Sequence, residues 1–154
     1  LNIMSNNDHL KIEELLNNYL KAISKNNDKN FFTSKVTEDF LEIDDAGNIQ
    51  NPSELMMEYP SNEDAWIKDG KINSFLRLHI SADDKFAFFS CTATIISAEK
   101  SFIMKENGPY FHLNIFTGYL KKYENEWKLA WIQQKIVKEL NEDDLIDEGK
   151  WPHN

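Results

Sequence analysis

One cysteine, four prolines and five glycines in 154 residues exclude several architectures at once. A single thiol, Cys91, rules out a disulfide framework within the chain and makes a reducing, cytoplasmic compartment the expectation. The four histidines (9, 79, 112 and 153) are scattered and have no second cysteine beside them, so no metal site is expected. No glycine-rich phosphate loop and no nucleophile-elbow motif is present, and no cofactor is expected. No apolar run approaches the roughly 18 to 20 residues of a transmembrane helix. The N-terminus has no basic region ahead of an apolar core, so neither a membrane contact nor a secretory signal is expected. Leu1 is an unusual first residue, with Met4 as an alternative start. Basic residues are also short: 17 Lys and Arg stand against 26 Asp and Glu, for a net charge of −9. An acidic chain repels phosphate backbones, so nucleic acid is not an expected partner.

The chain has ample core-forming residues. Apolar residues are 41% and aromatics 12%, which suits one domain of this length with a substantial core. Residues 1–138 read as that domain. Residues 139–154 carry six acids and one Lys and read as an acidic tail, with a short helix as one form and Trp151 as an anchor.

The organising stretch runs from Tyr110 to Val137. Aromatic and β-branched residues on either side of Glu124-Asn125-Glu126 predict two long antiparallel strands and a tight turn. Such a hairpin needs a covering layer. Ile12, Leu15, Leu16, Tyr19, Leu20 and Ile23 share one face of a helix expected over 8–24. Asp28 can cap a second, short helix holding Phe31 and Phe32. Val36 to Gln50 reads as a small hairpin turning at Asp45-Ala46-Gly47-Asn48. Another short helix opens at 51–53, and 60–70 reads as a loop containing Trp66. Ile72 to Ser81 alternates, with Leu76, Leu78 and Ile80 on one face and Phe75, Arg77 and His79 on the other. Lys85 to Ala98 reads as a central strand covered on both faces. Helices first, strands after, predict an α+β domain.

This order, closing on FTGYLKKYENEWKLAWI, resembles the nuclear transport factor 2-like superfamily, and most of all the small bacterial SnoaL-like and ketosteroid-isomerase-like proteins. Thr117, the polar turn at Glu124-Asn125-Glu126, and Trp127-Lys128-Leu129 carry the resemblance in the last hairpin. It implies a cone: a strongly curved antiparallel sheet wrapped around about three N-terminal helices, with a pocket at the open end and frequent dimerisation through the outer face of the sheet. Two residues match the isomerase pattern. Tyr19, in NNYLKAI, stands where a helix-one tyrosine donates to an oxyanion. Asp44, in IDDAG, stands at the spacing of the general base, with Asp45 in place of the expected proline.

Each candidate also has a plain structural reading. Tyr19 lies on an apolar helix face and suits a core tyrosine as well as a pocket donor. Asp44 suits a turn carboxylate as well as a base. His79 and Arg77 share a face with Phe75 and suit a pocket wall, a dimer surface or water. His112 and Asn114 share a strand face, where an inward His112 can exchange a proton near neutral pH. Trp131 and Gln133 follow Trp127 and Leu129 by alternation and suit recognition by shape and hydrogen bond. The expected site is therefore Asp44 and Tyr19 for chemistry, with Trp66, Phe75, His112, Asn114, Trp131 and Gln133 lining a pocket. Three functions compete. One is binding of a small apolar, carbonyl-type molecule. The second is cofactor-independent isomerase, cyclase or dehydratase chemistry. The third is an interaction module without a pocket. A homodimer through the outer sheet face is expected in any of them.

Overall fold

The computed structural model describes residues 3–24, 30–51, 67–97 and 110–140. Two helices, α1 (Ile3–Ala22) and α2 (Phe31–Ser34), precede and cover six strands. These are β1 (Val36–Ile43), β2 (Ile49–Gln50), β3 (Ile67–Ile80), β4 (Phe86–Ser97), β5 (Tyr110–Tyr123) and β6 (Glu126–Leu140). The strands form one sheet in the order β2-β1-β6-β5-β4-β3. Every pairing is antiparallel except β1 with β6, which is parallel, so the sheet is mixed where an antiparallel one was expected. The architecture is the expected α+β cone. The third expected helix, after Asn51, and nearly all of the acidic tail lie outside the described residues. β6 runs on to Leu140, so the strand includes the first two residues assigned to that tail.

Helix α1 buries Ile12, Leu15, Leu16, Tyr19 and Leu20, and the turn that follows it buries Ile23, which together are the predicted face. It begins at Ile3, ahead of the predicted start. Two contacts fix its angle across the sheet. Asn17 Oδ1 accepts the Ile72 N–H at 2.9 Å. A Cβ on Gly70 would meet Ile95 Cδ1 at 2.8 Å and Leu20 at 3.4 Å, so glycine there allows helix and strand to approach. The N-terminal part of α1 is pinned at the hairpin end of the sheet. Asp8 accepts from Trp127 Nε1 at 3.0 Å and from Lys122 Nζ at 3.2 Å, and all three groups are largely buried.

Register irregularities break β3 three times, around residues 68, 73 and 76, and β6 against β5 twice. Each extra residue bends its strand and increases twist, which curves the sheet around α1. The same bulges overturn the simple alternation expected in β3. Phe75, Leu78 and Ile80 pack on the core, while Leu76 is exposed. Strand β3 also starts at Ile67, inside the stretch read as a loop. The main hairpin turns tightly at Glu124 and Asn125, both at positive φ, the backbone a two-residue turn between twisted strands requires.

Candidate functional site

The inner face of the sheet carries a polar row among apolar side chains. On β5 the inward residues are His112, Asn114, Phe116, Gly118 and Leu120, all buried. Their partners on β4 are Ile95, Ala93, Cys91, Phe89 and Ala87. On β6 they are Glu139, Ile136, Gln134, Ile132 and Leu129. Strand β1 adds Glu42, opposite Ile132.

Tyr19 meets this face from the C-terminal half of α1. Its hydroxyl donates a hydrogen bond to Glu42, and both residues are buried, at 1% and 2% exposure. Phe31, Phe32 and Phe116 surround the Tyr19 ring at centroid distances of 5.9, 6.5 and 6.2 Å. A carboxylate inside such a wall is costly unless it is hydrogen-bonded, and the phenol supplies one such bond. Asn114 Nδ2 donates to Gln134 Oε1 at 3.1 Å, and the Ser97 hydroxyl lies 2.6 Å from His112 Nε2. These three pairs line the inner face on β1, β6, β5 and β4.

Sequence reasoning singled out Tyr19, His112 and Asn114, and the fold gathers all three on the inner face. It did not single out Glu42, Gln134 or Ser97. The signal for Glu42 was its phase: it alternates with Phe40, so an inward Phe40 carries Glu42 inward too.

Asp44 occupies a different place. It sits in the β1–β2 turn, where Oδ1 accepts from the backbone N–H of Ala46 at 2.9 Å and of Asn48 at 2.8 Å, and Oδ2 accepts from Asn48 Nδ2 at 3.1 Å. Its carboxylate is therefore occupied in holding the turn. Asp45 reaches the other way and accepts the Ile136 N–H at 2.8 Å, tying the turn to β6.

Trp131 and Gln133 point away from Tyr19. Ala130 is an extra residue in β6 opposite the Tyr119/Leu120 step, and it shifts the alternation set by Trp127 and Leu129. Trp131 consequently pairs with Tyr119, and Gln133 with Thr117, on the outer face. This corrects their expected position in the pocket wall. Phe75 is inward but packs on His9, with ring centroids 5.1 Å apart, ten residues up the helix from Tyr19. At about 1.5 Å of rise per residue that is about 15 Å away. Trp66 lies outside the described residues. Arg77 and His79 pair with Ser90 and Phe88 on the outer face.

A groove of about 910 Å³ opens between α2, the start of β1 and the hairpin, lined by Thr37, Glu38, Asp39, Lys121 and Lys128 among others. The Thr37 hydroxyl, donating at 2.7 Å, and then the Lys121 ammonium hold the Asp39 carboxyl below its usual range. This groove is open and largely polar, with Phe32, Val36 and Tyr123 as its apolar part, and suits an apolar molecule poorly. Among the described residues no three His, Cys, Asp or Glu side chains are placed to hold a metal ion, and no helix is long and apolar enough to cross a membrane.

The family described as "Protein of unknown function (DUF3804)" matches residues 7–139. No curated protein matches the chain. Among solved structures, an NTF2-like protein of unknown function from Prochlorococcus sp. NATL2A is similar over 84% of this chain and 93% of its own, at 19% identity and a TM-score of 0.65. A type 2 hexachlorocyclohexane dehydrochlorinase is similar over 88% and 90%, at 11% identity and a TM-score of 0.65. A putative scytalone dehydratase from Novosphingobium aromaticivorans is similar over 86% and 86%, at 10% identity and a TM-score of 0.62. These likenesses establish the NTF2-like fold.

Proposed function

The chain belongs to the DUF3804 family, and we propose that it binds a small, largely apolar molecule on the inner face of its cone. The observation that carries this reading is the Tyr19–Glu42 pair, a buried carboxylate held by a phenol whose ring is surrounded by Phe31, Phe32 and Phe116. A few convergent polar groups in an aromatic wall are the usual composition of a small-molecule site. Tyr19 has one proton and gives it to Glu42, so a carbonyl-type ligand has to displace Glu42 to be held by that phenol.

Thermal unfolding with a panel of compact apolar alcohols, phenols and ketones tests the reading. A ligand that binds only the folded state raises its stability by mass action. The expected result is a rise of several degrees in Tm for some panel members, lost in Ala93→Leu, which adds bulk beside Asn114 on the inner face. An interaction module without a pocket gives no rise with any compound, and that result overturns the proposal.

The Tyr19–Glu42 contact also favours a second reading, proton-transfer chemistry of the isomerase, cyclase or dehydratase kind. In it Glu42, rather than Asp44, is the base. Glu42→Gln separates the two: a binder keeps its ligand response, whereas an enzyme still binds and loses turnover. A cytoplasmic homodimer belongs to the same proposal. Its support is a cross-strand row on the outer face, Leu41–Trp131–Tyr119–Phe88–His79, that spans five strands, with Leu41 and Phe88 at least 40% exposed.

A further inference from the structure

Asn114 lies at the middle of the inner face and is wholly buried. Its amide nitrogen is engaged by Gln134, yet its Oδ1 receives no hydrogen bond from any described residue. Ala93 and Ile136, its cross-strand partners, and Phe116, next along the strand, carry no side-chain donor, and the His112 ring before it engages Ser97 and makes no hydrogen bond to this oxygen. The β5 backbone N–H groups around it serve the ladders, because β5 pairs on both sides, and the Ile136 N–H is taken by Asp45. A buried carbonyl oxygen without a donor is rare in folded proteins and calls for an occupant that supplies one.

We infer that Asn114 Oδ1 is the recognition point for a hydroxyl group, and that the molecule bound on the inner face is a small apolar alcohol or phenol rather than a ketone. The inference rests on the binding reading above and narrows its ligand class. Two observations converge on it. At Asn114 a ketone sets oxygen against oxygen. At Tyr19 the phenol proton is already given to Glu42. An O–H group meets the vacant acceptor directly, and Gln134 holds the amide in the orientation that presents it.

Titration calorimetry with 2-naphthol, 2-methoxynaphthalene and naphthalene tests this, on the wild type and on Asn114→Leu. The three probes share a ring system, and only the first has a donor. The expected result is that 2-naphthol binds the wild type about tenfold or more tightly than its methyl ether. Asn114→Leu, similar in volume and without the oxygen, should bring the two within about twofold by weakening 2-naphthol. Equal affinities on the wild type, as when a fixed water satisfies Asn114, overturn the inference and leave the binding reading standing. So does a naphthol preference that survives Asn114→Leu. Failure of all three probes to bind either protein overturns both. The wild-type comparison decides even where the variant does not fold.

Discussion

Tyr19 and Glu42 stand 23 residues apart in the chain and meet in the core, the phenol donating its proton to the carboxylate. One comes from the last turns of a helix and the other from the first strand, so the bond joins the two layers of the cone. Tyr19→Phe removes a donor from a buried carboxylate and keeps the ring packing. The expected cost is about 1–3 kcal/mol. Glu42→Gln in the same background should cost less than in the wild type, with a coupling of roughly 1 kcal/mol or more between the two sites. Urea unfolding of the four proteins in this cycle measures it. Additive effects would mean the two groups do not interact.

Asp8 serves a comparable purpose at the hairpin end. Its carboxylate binds Lys122 Nζ and Trp127 Nε1, with the ammonium also 5.2 Å from the indole centroid. Asp8→Ala leaves a largely buried ammonium without its counter-charge and the Trp127 N–H without its acceptor. The expected loss is about 3 kcal/mol. Asp8→Asn retains an acceptor for Trp127 and should lose less. Chemical denaturation of both variants checks the order, and equal losses would assign the whole effect to charge.

Cys91 is buried on β4, and burial pushes its thiol up to about 12. Between pH 9 and 12 the folded thiol keeps its proton while the unfolded one loses it. The folded state binds more protons there, so stability falls as pH rises through that window. Cys91→Ala should flatten that part of the stability profile. At pH 8 a disulfide reagent should label the native thiol only as fast as the protein opens, and at once in denaturant. Fast native labelling would contradict the burial.

The outer face predicts self-association. Trp131, Tyr119 and Phe88 lie side by side across β6, β5 and β4, and the two described helices pack on the other face. Light scattering at micromolar concentration is expected to give about twice the 18.0 kDa chain mass. Phe88→Lys should return it to a monomer without loss of fold. A wild-type monomer would contradict this.

Much of the fold was legible because it follows local periodicity. The α1 face from Ile12 to Ile23 and the Glu124–Asn125 turn can be read from spacing alone. What was hidden depended on bulges, which a period of two cannot show. One extra residue, Ala130, moved Trp131 and Gln133 to the outer face, and irregularities in β3 put Phe75 and Leu78 on the same side. The parallel pairing of β1 with β6 joins distant segments and leaves no local mark. Asp44 was singled out and Glu42 was not, for a different reason. Both stand in FLEIDD; the alternation with Phe40 carries Glu42 inward, and the turn hydrogen bonds taken by Asp44 keep its carboxylate in the β1–β2 turn.

The most direct test of binding on the inner face is an NMR titration of the labelled protein with 2-naphthol. The predicted result is that shifts concentrate at Ala93, His112, Asn114 and Phe116, while Phe88, Tyr119 and Trp131 stay still. Shifts confined to the outer-face row, or none at saturating ligand, would contradict the account.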